Sequence, residues 1–352
     1  MSLYTTTGVY RRQSKFVRPA LGALPPYCPD ELDLKILHTV HTNKEATAEI
    51  IWLYNGHSLQ TIQRRLTALW HNHYLNRWGQ LDRRGQRGGS DKQVYFLDTE
   101  GAKLLTRVKK ARIRPYKFHH DEGKYHLAHR LGTRRIAALA FGACARHSRI
   151  ELAYDFPDKK FRVELPGLPY ATTNRVKISP DRLFGLRGCF ENNPEKIQNC
   201  FVEYQRPKRR TLESRQPLSL DEEKSILDKF RSYVLLKKIE PHKNLKAFDD
   251  YPGVRDLNNF VVLVVCDGHS PTQALNLMAT ARKSFGASTP LRIFWFARPD
   301  YFEATNPAQT FFAPTWRSCK QGDNVSRSLV SNETTRVCPW IISRSEKDTF
   351  GD

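Results

Sequence analysis

The stretch Asn199-Cys-Phe-Val-Glu-Tyr-Gln205, preceded by Ile178-Ser-Pro-Asp181 and followed at once by Arg206-Pro-Lys-Arg-Arg210, decides how the second half of this chain is read. Its apolar and aromatic residues suit a strand. Side chains alternate along a strand, so Glu203 and Gln205 share a face with Phe201 while Val202 and Tyr204 take the other. An acid on such an apolar strand is costly to bury unless something pairs with it. If Asp181 lies on a neighbouring strand, Asp181, Glu203 and Gln205 could converge on one divalent cation, Mg²⁺ or Mn²⁺, which needs hard oxygen ligands. Arg206, Lys208, Arg209 and Arg210 would then stand ready to meet phosphate. A metal so held polarises a scissile phosphate and lowers the pKa of a bound water. The competing reading is that Pro-Asp and Glu-x-Gln recur by chance and these are surface carboxylates.

Working outward, the helix expected from about Ser219 to Lys237 returns Lys224 and Lys229 toward the sheet, where either could steady a pentacovalent phosphate. Ordinary solvated helix lysines are the alternative. Glu151 is a further candidate ligand or a surface acid. His126 and His129, three apart on the helix expected over Tyr125–Cys144, read as structural or DNA-facing, with metal binding as the alternative. Short strands at Arg149–Tyr154 and Lys159–Glu164, strands around Lys177 and Phe201, the apolar strand Phe260–Cys266, a helix over Pro271–Phe285 and a strand Leu291–Ala297 together imply an α/β sheet flanked by helices. Glu240–Leu257 reads as a loop, and the chain after Trp316 as a polar tail.

The amino-terminal third has a different rhythm. A basic arm with Arg11, Arg12, Lys15 and Arg18 precedes a helix capped by Asp30, a second helix from about Glu45 to Tyr54 stopped at Asn55-Gly56, and a third opened by Ser58. The third buries Ile62, Leu66, Leu69 and Trp70 at helical spacing and shows Gln60, Gln63, Arg64 and Arg65 on its other side. Two strands, Tyr74–Leu81 and Gln93–Leu97, enclose a glycine-rich loop carrying Arg83, Arg84, Arg87 and Lys92, and a fourth helix starts near Thr99. Three helices and a basic hairpin make a winged helix-turn-helix, whose third helix enters the major groove while the wing meets the backbone. A winged helix used only for protein contacts is the alternative.

Composition narrows the partners. The chain has 352 residues, 57 Lys+Arg against 36 Asp+Glu and a formal net charge of +21, which points to nucleic acid, here double-stranded DNA. About half of the excess lies in residues 1–118. No apolar run of about 18 residues offers a membrane span, and the polar, basic start lacks the core of a secretory signal, so a cytoplasmic protein is expected. The 7 cysteines form no CxxC pair and read as reduced structural thiols. Phosphate-loop, dinucleotide and serine-hydrolase motifs are absent.

One order of parts carries a resemblance. Tyr95-Phe-Leu-Asp-Thr-Glu-Gly-Ala-Lys-Leu-Leu105, then His126, Ser179-Pro-Asp181, Phe201-Val-Glu203, Lys229-Phe-Arg-Ser-Tyr233, Phe260-Val-Val-Leu-Val-Val265, Ile293-Phe-Trp-Phe296 and Thr315-Trp316 resemble the replication-relaxation family over about residues 30–317. That family is associated with plasmids and other mobile elements, and one branch is similar to MobC-type relaxases with a restriction-endonuclease-like catalytic domain. The resemblance implies that Asp181 and Glu203 are metal ligands and that Gln205 holds a position usually occupied by lysine, or by a second acid in the relaxase branch. It also implies replication or mobilisation proteins as further partners. The expected fold is α+β: a basic arm (1–28), a winged helix-turn-helix domain (29–112), a basic linker (113–124), an α/β restriction-endonuclease-like domain with a mixed sheet (125–317) and a polar tail (318–352). The expected function is a relaxase-like, metal-dependent DNA-nicking endonuclease. The rivals are a non-catalytic DNA-binding or regulatory protein with a degenerate nuclease fold, favoured by the uncharged Gln205, and an RNA-directed nuclease.

Overall fold

Aspartates and small hydroxylated residues set where the helices of the amino-terminal unit begin. In a computed structural model of the protein, the described residues are 18–23, 27–78, 93–116, 124–157, 161–164, 175–189, 195–206, 220–238, 260–267, 271–285, 291–320, 325–330 and 334–335. They divide into two units, Met1–Lys124 and Tyr125–Asp352, and the whole is a mixed α+β structure.

In the first unit, α1 (Glu31–Asn43) opens on a reciprocal capping box between Asp30 and Asp33. Thr47 caps α2 (Ala48–Asn55), which ends on left-handed Gly56. Ser58 caps α3 (Leu59–His71) by accepting from the Thr61 amide, and Asp98 caps α4 (Thr99–Lys109). Strands β2 (Leu75–Trp78) and β3 (Val94–Leu97) pair antiparallel. The second helix starts at Ala48 rather than Glu45, because Glu45–Thr47 form a strand, β1, paired antiparallel with β3. Buried Glu45 accepts a 2.9 Å hydrogen bond from the Tyr116 hydroxyl there. Ile36, Leu37 and Val40 of α1, Ile50 and Ile51 of α2 and Ile62, Leu66 and Leu69 of α3 form the core. The basic arm is tied down at its end: Arg18 donates to the carbonyls of Trp70 and Leu75 and to Asp98 Oδ2 at 2.7 Å.

The second unit is built on an eight-stranded sheet. Its strands are β4 (Glu151–Pro157), β7 (Arg182–Arg187), β8 (Ile197–Gln205), β9 (Phe260–Cys266), β10 (Phe294–Ala297), β11 (Trp316–Ser318), β12 (Ser326–Arg327) and β13 (Thr334–Thr335). Their order is β13-β12-β11-β10-β9-β8-β7-β4. The pairs β8–β9 and β9–β10 are parallel and the rest antiparallel, so the sheet is mixed. A separate hairpin pairs β5 (Phe161–Glu164) with β6 (Arg175–Ile178). Every residue of Phe260-Val-Val-Leu-Val-Val-Cys266 is buried, as a parallel strand covered on both faces requires. Phe201, Val262, Val264, Phe294 and Phe296 pack on Phe230, Tyr233 and Val234 of α6 (Leu220–Lys238) and on Ala274 and Met278 of α7 (Pro271–Phe285). On the opposite face, Gly132 of α5 (Lys124–Cys144) lies so close to the Tyr204 ring that an added Cβ would stand 2.2 Å from it.

Three readings change. The neighbour of β8 is β7, Arg182-Leu-Phe-Gly-Leu-Arg187, a strand hidden by Gly185, whose missing Cβ makes room for the Tyr154 ring. Residues Leu291–Ile293 form a 3-10 turn before β10. The polar tail expected over 318–352 contributes strands: β12 and β13, with the last residue of β11, extend the sheet. Among the described residues no helix is long and apolar enough to cross a membrane.

Candidate functional site

Five side chains form one hydrogen-bonded and ion-paired chain across β7 and β8: His129, Asp181, Lys229, Glu203 and Tyr233. Asp181 directly precedes β7. Its amide donates to the Val202 carbonyl at 3.0 Å, and its Oδ2 accepts from the Tyr204 amide at 2.8 Å. The carboxylate thereby continues the ladder where the strand has not yet begun. The same oxygen lies 3.3 Å from Nε2 of His129 on α5, and Oδ1 lies 3.7 Å from Nζ of Lys229 on α6. Asp181 thus links the helices on the two faces of the sheet.

Glu203 follows from the strand's alternation, on the face of Phe201 and against α6. It is 0% exposed. Its Oε2 accepts from Lys229 Nζ at 2.5 Å and its Oε1 from the Tyr233 hydroxyl at 2.7 Å. Lys229 and Tyr233 are four apart on one helix, so both project to one spot. Asp181 and Glu203 reach a single ammonium, so their carboxylates lie no further apart than its two contact distances combined.

These surroundings push the two acids in opposite directions. Burial and then the charge of Asp181 raise Glu203, and the Lys229 and Tyr233 contacts only partly oppose them, leaving its pKa at about 7. Burial also works against ionised Asp181, but the His129 hydrogen bond, the Lys229 charge and the Tyr204 amide outweigh it and hold its pKa below 3.8. Burial disfavours charge on His129 and Lys229 too, yet Asp181 lifts the histidine and Glu203 with Asp181 lifts the lysine. Tyr233 is driven well above its ordinary range by burial and the adjacent Glu203. Such opposed shifts are found at functional sites and in structural ion-pair networks alike.

Of the residues singled out from the sequence, Asp181, Glu203 and Lys229 come together. Gln205 lies one pleat beyond Glu203 on the same face and is partly exposed. Arg206 approaches Asp267 at 3.6 Å. The Lys224 side chain, Lys208, Arg209, Arg210, and Arg83, Arg84, Arg87 and Lys92 lie outside the described residues. Glu151 pairs with Arg187 at 2.6 Å and is not part of the chain of contacts. In the first unit, Gln60, Gln63 and Arg64 are exposed on α3. Arg65, in contrast, is engaged within the unit: it binds Asp30 at 2.6 Å, and buried Asp33 and the Tyr27 hydroxyl at 3.3 Å. Helical spacing alone could not separate it from Arg64, because its acids belong to another helix and its cap. Tyr233 has no expected role from the sequence, and His129 is expected there to be structural or DNA-facing. The four-residue step from Lys229 to Tyr233 was the available signal.

Among the described residues no group of three or more His, Cys, Asp or Glu side chains is arranged to hold a metal ion. The two carboxylates nevertheless fit a hard divalent cation that takes its other ligands from water and phosphate, as Mg²⁺ commonly does. They already converge on a cation, the ammonium of Lys229. Comparison with protein-family models, curated proteins and solved structures gives no match.

Proposed function

We propose that this is a cytoplasmic, double-stranded-DNA-binding protein of a plasmid or other mobile element, and that its second unit nicks DNA with Mg²⁺ or Mn²⁺. The observation that carries the proposal is the convergence of Asp181 and Glu203, from separate segments of the sheet, on the Lys229 ammonium. Asp181 and Glu203 would hold the metal, which supplies Lewis-acid polarisation of phosphate and an activated water. The chain's own groups do the rest. The Tyr204 amide and His129 orient Asp181, the Tyr233 hydroxyl orients Glu203, and Lys229 offers positive charge where a pentacovalent phosphate develops negative charge.

The first unit is read as a winged helix, which the order α1-β1-α2-α3-β2-β3 and the exposed Gln60, Gln63 and Arg64 support. The second is read as restriction-endonuclease-like, which its mixed sheet and the paired acids at β7 and β8 support. Both belong to the replication-relaxation reading, with replication or mobilisation proteins as partners. Nicking of supercoiled plasmid in Mg²⁺ by Asp181→Ala and Glu203→Ala tests it. Both should fail to nick while still binding duplex, and unchanged nicking by both sinks the active-site assignment.

A second reading, a non-catalytic DNA-binding or regulatory protein, is favoured by two specific observations. Gln205 brings no charge, and Lys229 already neutralises the buried acid. Absence of any Mn²⁺ binding in calorimetry would favour it.

A further inference from the structure

We infer that Lys229 is an exchangeable internal cation, competing with a divalent ion for the Asp181–Glu203 pair and released toward the phosphate side when it loses that place. The inference rests on the proposed metal-dependent reading. It is carried by an asymmetry in the pair. Glu203 is 0% exposed and is also held by Tyr233, so it stays where it is. Lys229 keeps 36% of its side chain exposed and enters from α6 on a flexible four-carbon stem, so it can leave without unfolding anything. Its Nζ, 2.5 Å from Glu203 and 3.7 Å from Asp181, lies where a hard cation would find both carboxylates. Two positive ions cannot share that space, because like charges a few ångströms apart repel strongly away from bulk water.

The lysine would thus be both a counter-ion and a positioning residue. It would keep the buried acids neutralised until the cation arrives and supply positive charge to the substrate only afterwards. That order also explains how a chain with Gln205 at the position usually filled by lysine could still bring an ammonium to the phosphate.

The experiment uses the intact wild-type protein. Surface-accessible amines are reductively methylated with and without Mn²⁺, the label on Lys229 is quantified by mass spectrometry, and Mn²⁺ binding is measured by calorimetry in parallel. An ammonium held between two carboxylates is slow to react, so Mn²⁺ should speed Lys229 labelling at least fivefold. The lysines of α4, far from the site in sequence and in the other unit, should keep their rates. Mn²⁺ binding with unchanged or slower Lys229 labelling overturns the exchange and leaves the metal site standing. No detectable Mn²⁺ binding overturns both. Lys229→Met supplies a second measurement: it should bind Mn²⁺ at least tenfold more tightly at pH 8, and equal or weaker binding contradicts the competition.

Discussion

Replacing Glu203 with Gln should erase a pH dependence that this residue imposes on folding. The ordinary carboxyl value is 4.5, and burial beside Asp181 raises it to about 7 in the folded protein. The folded chain therefore keeps a proton that the unfolded chain has lost, so stability falls as pH rises from about 4.5 to about 7. At 1.36 kcal/mol per pKa unit the loss is on the order of 3 kcal/mol. The glutamine side chain of the Glu203→Gln variant cannot ionise. Its amide oxygen can still accept from the Lys229 ammonium and its NH2 can donate to the Tyr233 hydroxyl oxygen, so the variant loses only the charge of the pair. Asp181 has the opposite sign: its depressed pKa gives stability that is lost only as pH falls below 3.8, outside this window. His129, raised above 6.5, gives stability lost as pH rises through its folded value, and it is present in both proteins. The assay is urea denaturation of both proteins followed by circular dichroism between pH 4.5 and 8. The difference between them removes every group that titrates alike in both proteins. Wild type should lose about 3 kcal/mol relative to the variant across the window. Parallel profiles would refute the claim that Glu203 is forced toward its neutral form.

Tyr233→Phe removes the hydroxyl donating to buried Glu203 and should destabilise the second unit by about 1–3 kcal/mol, measured by denaturant midpoint; no change would deny that bond a role. Arg65→Ala should lower the stability of the first unit by roughly 1–3 kcal/mol, because buried Asp33 keeps only Tyr27 and the Asp30 amide. Arg64→Ala, on the exposed side of α3, should stay within about 0.5 kcal/mol and weaken duplex binding instead. Identical behaviour of the two arginine variants in thermal melts and gel shifts would contradict the division. Gly132→Ala places a Cβ 2.2 Å from the Tyr204 ring, so overpacking of about 1–3 kcal/mol should outweigh the roughly 1 kcal/mol gained in helix propensity. A stabilised variant would mean that α5 is free to shift off the sheet.

Much of this was legible from local pattern. The caps at Asp30, Ser58 and the Gly56 stop, the apolar run of β9 and the alternation along β8 depend on nearest neighbours, and each appears in the structure where the residues put it. What escaped depends on partners distant in sequence. β1 exists because Glu45–Thr47 find β3, some fifty residues on. β7 is absent from the strands expected from the sequence, and its central Gly185 leaves the space that the Tyr154 ring fills. β12 and β13 lie in a polar segment that becomes sheet by adding onto β11. At the site, the acids and Lys229 could be nominated singly, but their meeting depends on how α6 lies across β8. Tyr233 needed the same knowledge.

The energetic character of the site bears on whether it is there for folding at all. A buried ion pair is a poor source of stability, since desolvation offsets most of the attraction, and well-packed apolar replacements are often neutral or better by about 1–4 kcal/mol. The face that carries Glu203 is otherwise built from Phe201, Val262, Val264, Phe230 and Phe294, into which Leu and Met would pack well. Stability alone is therefore weak ground for keeping Glu203 and Lys229 on this face, although the Tyr233 hydroxyl is needed once Glu203 is buried there. Asp181 differs, because its carboxylate completes the ladder to Tyr204 and would be retained for register alone. In the proposed metal site, any role beyond folding therefore rests more on Glu203 than on Asp181.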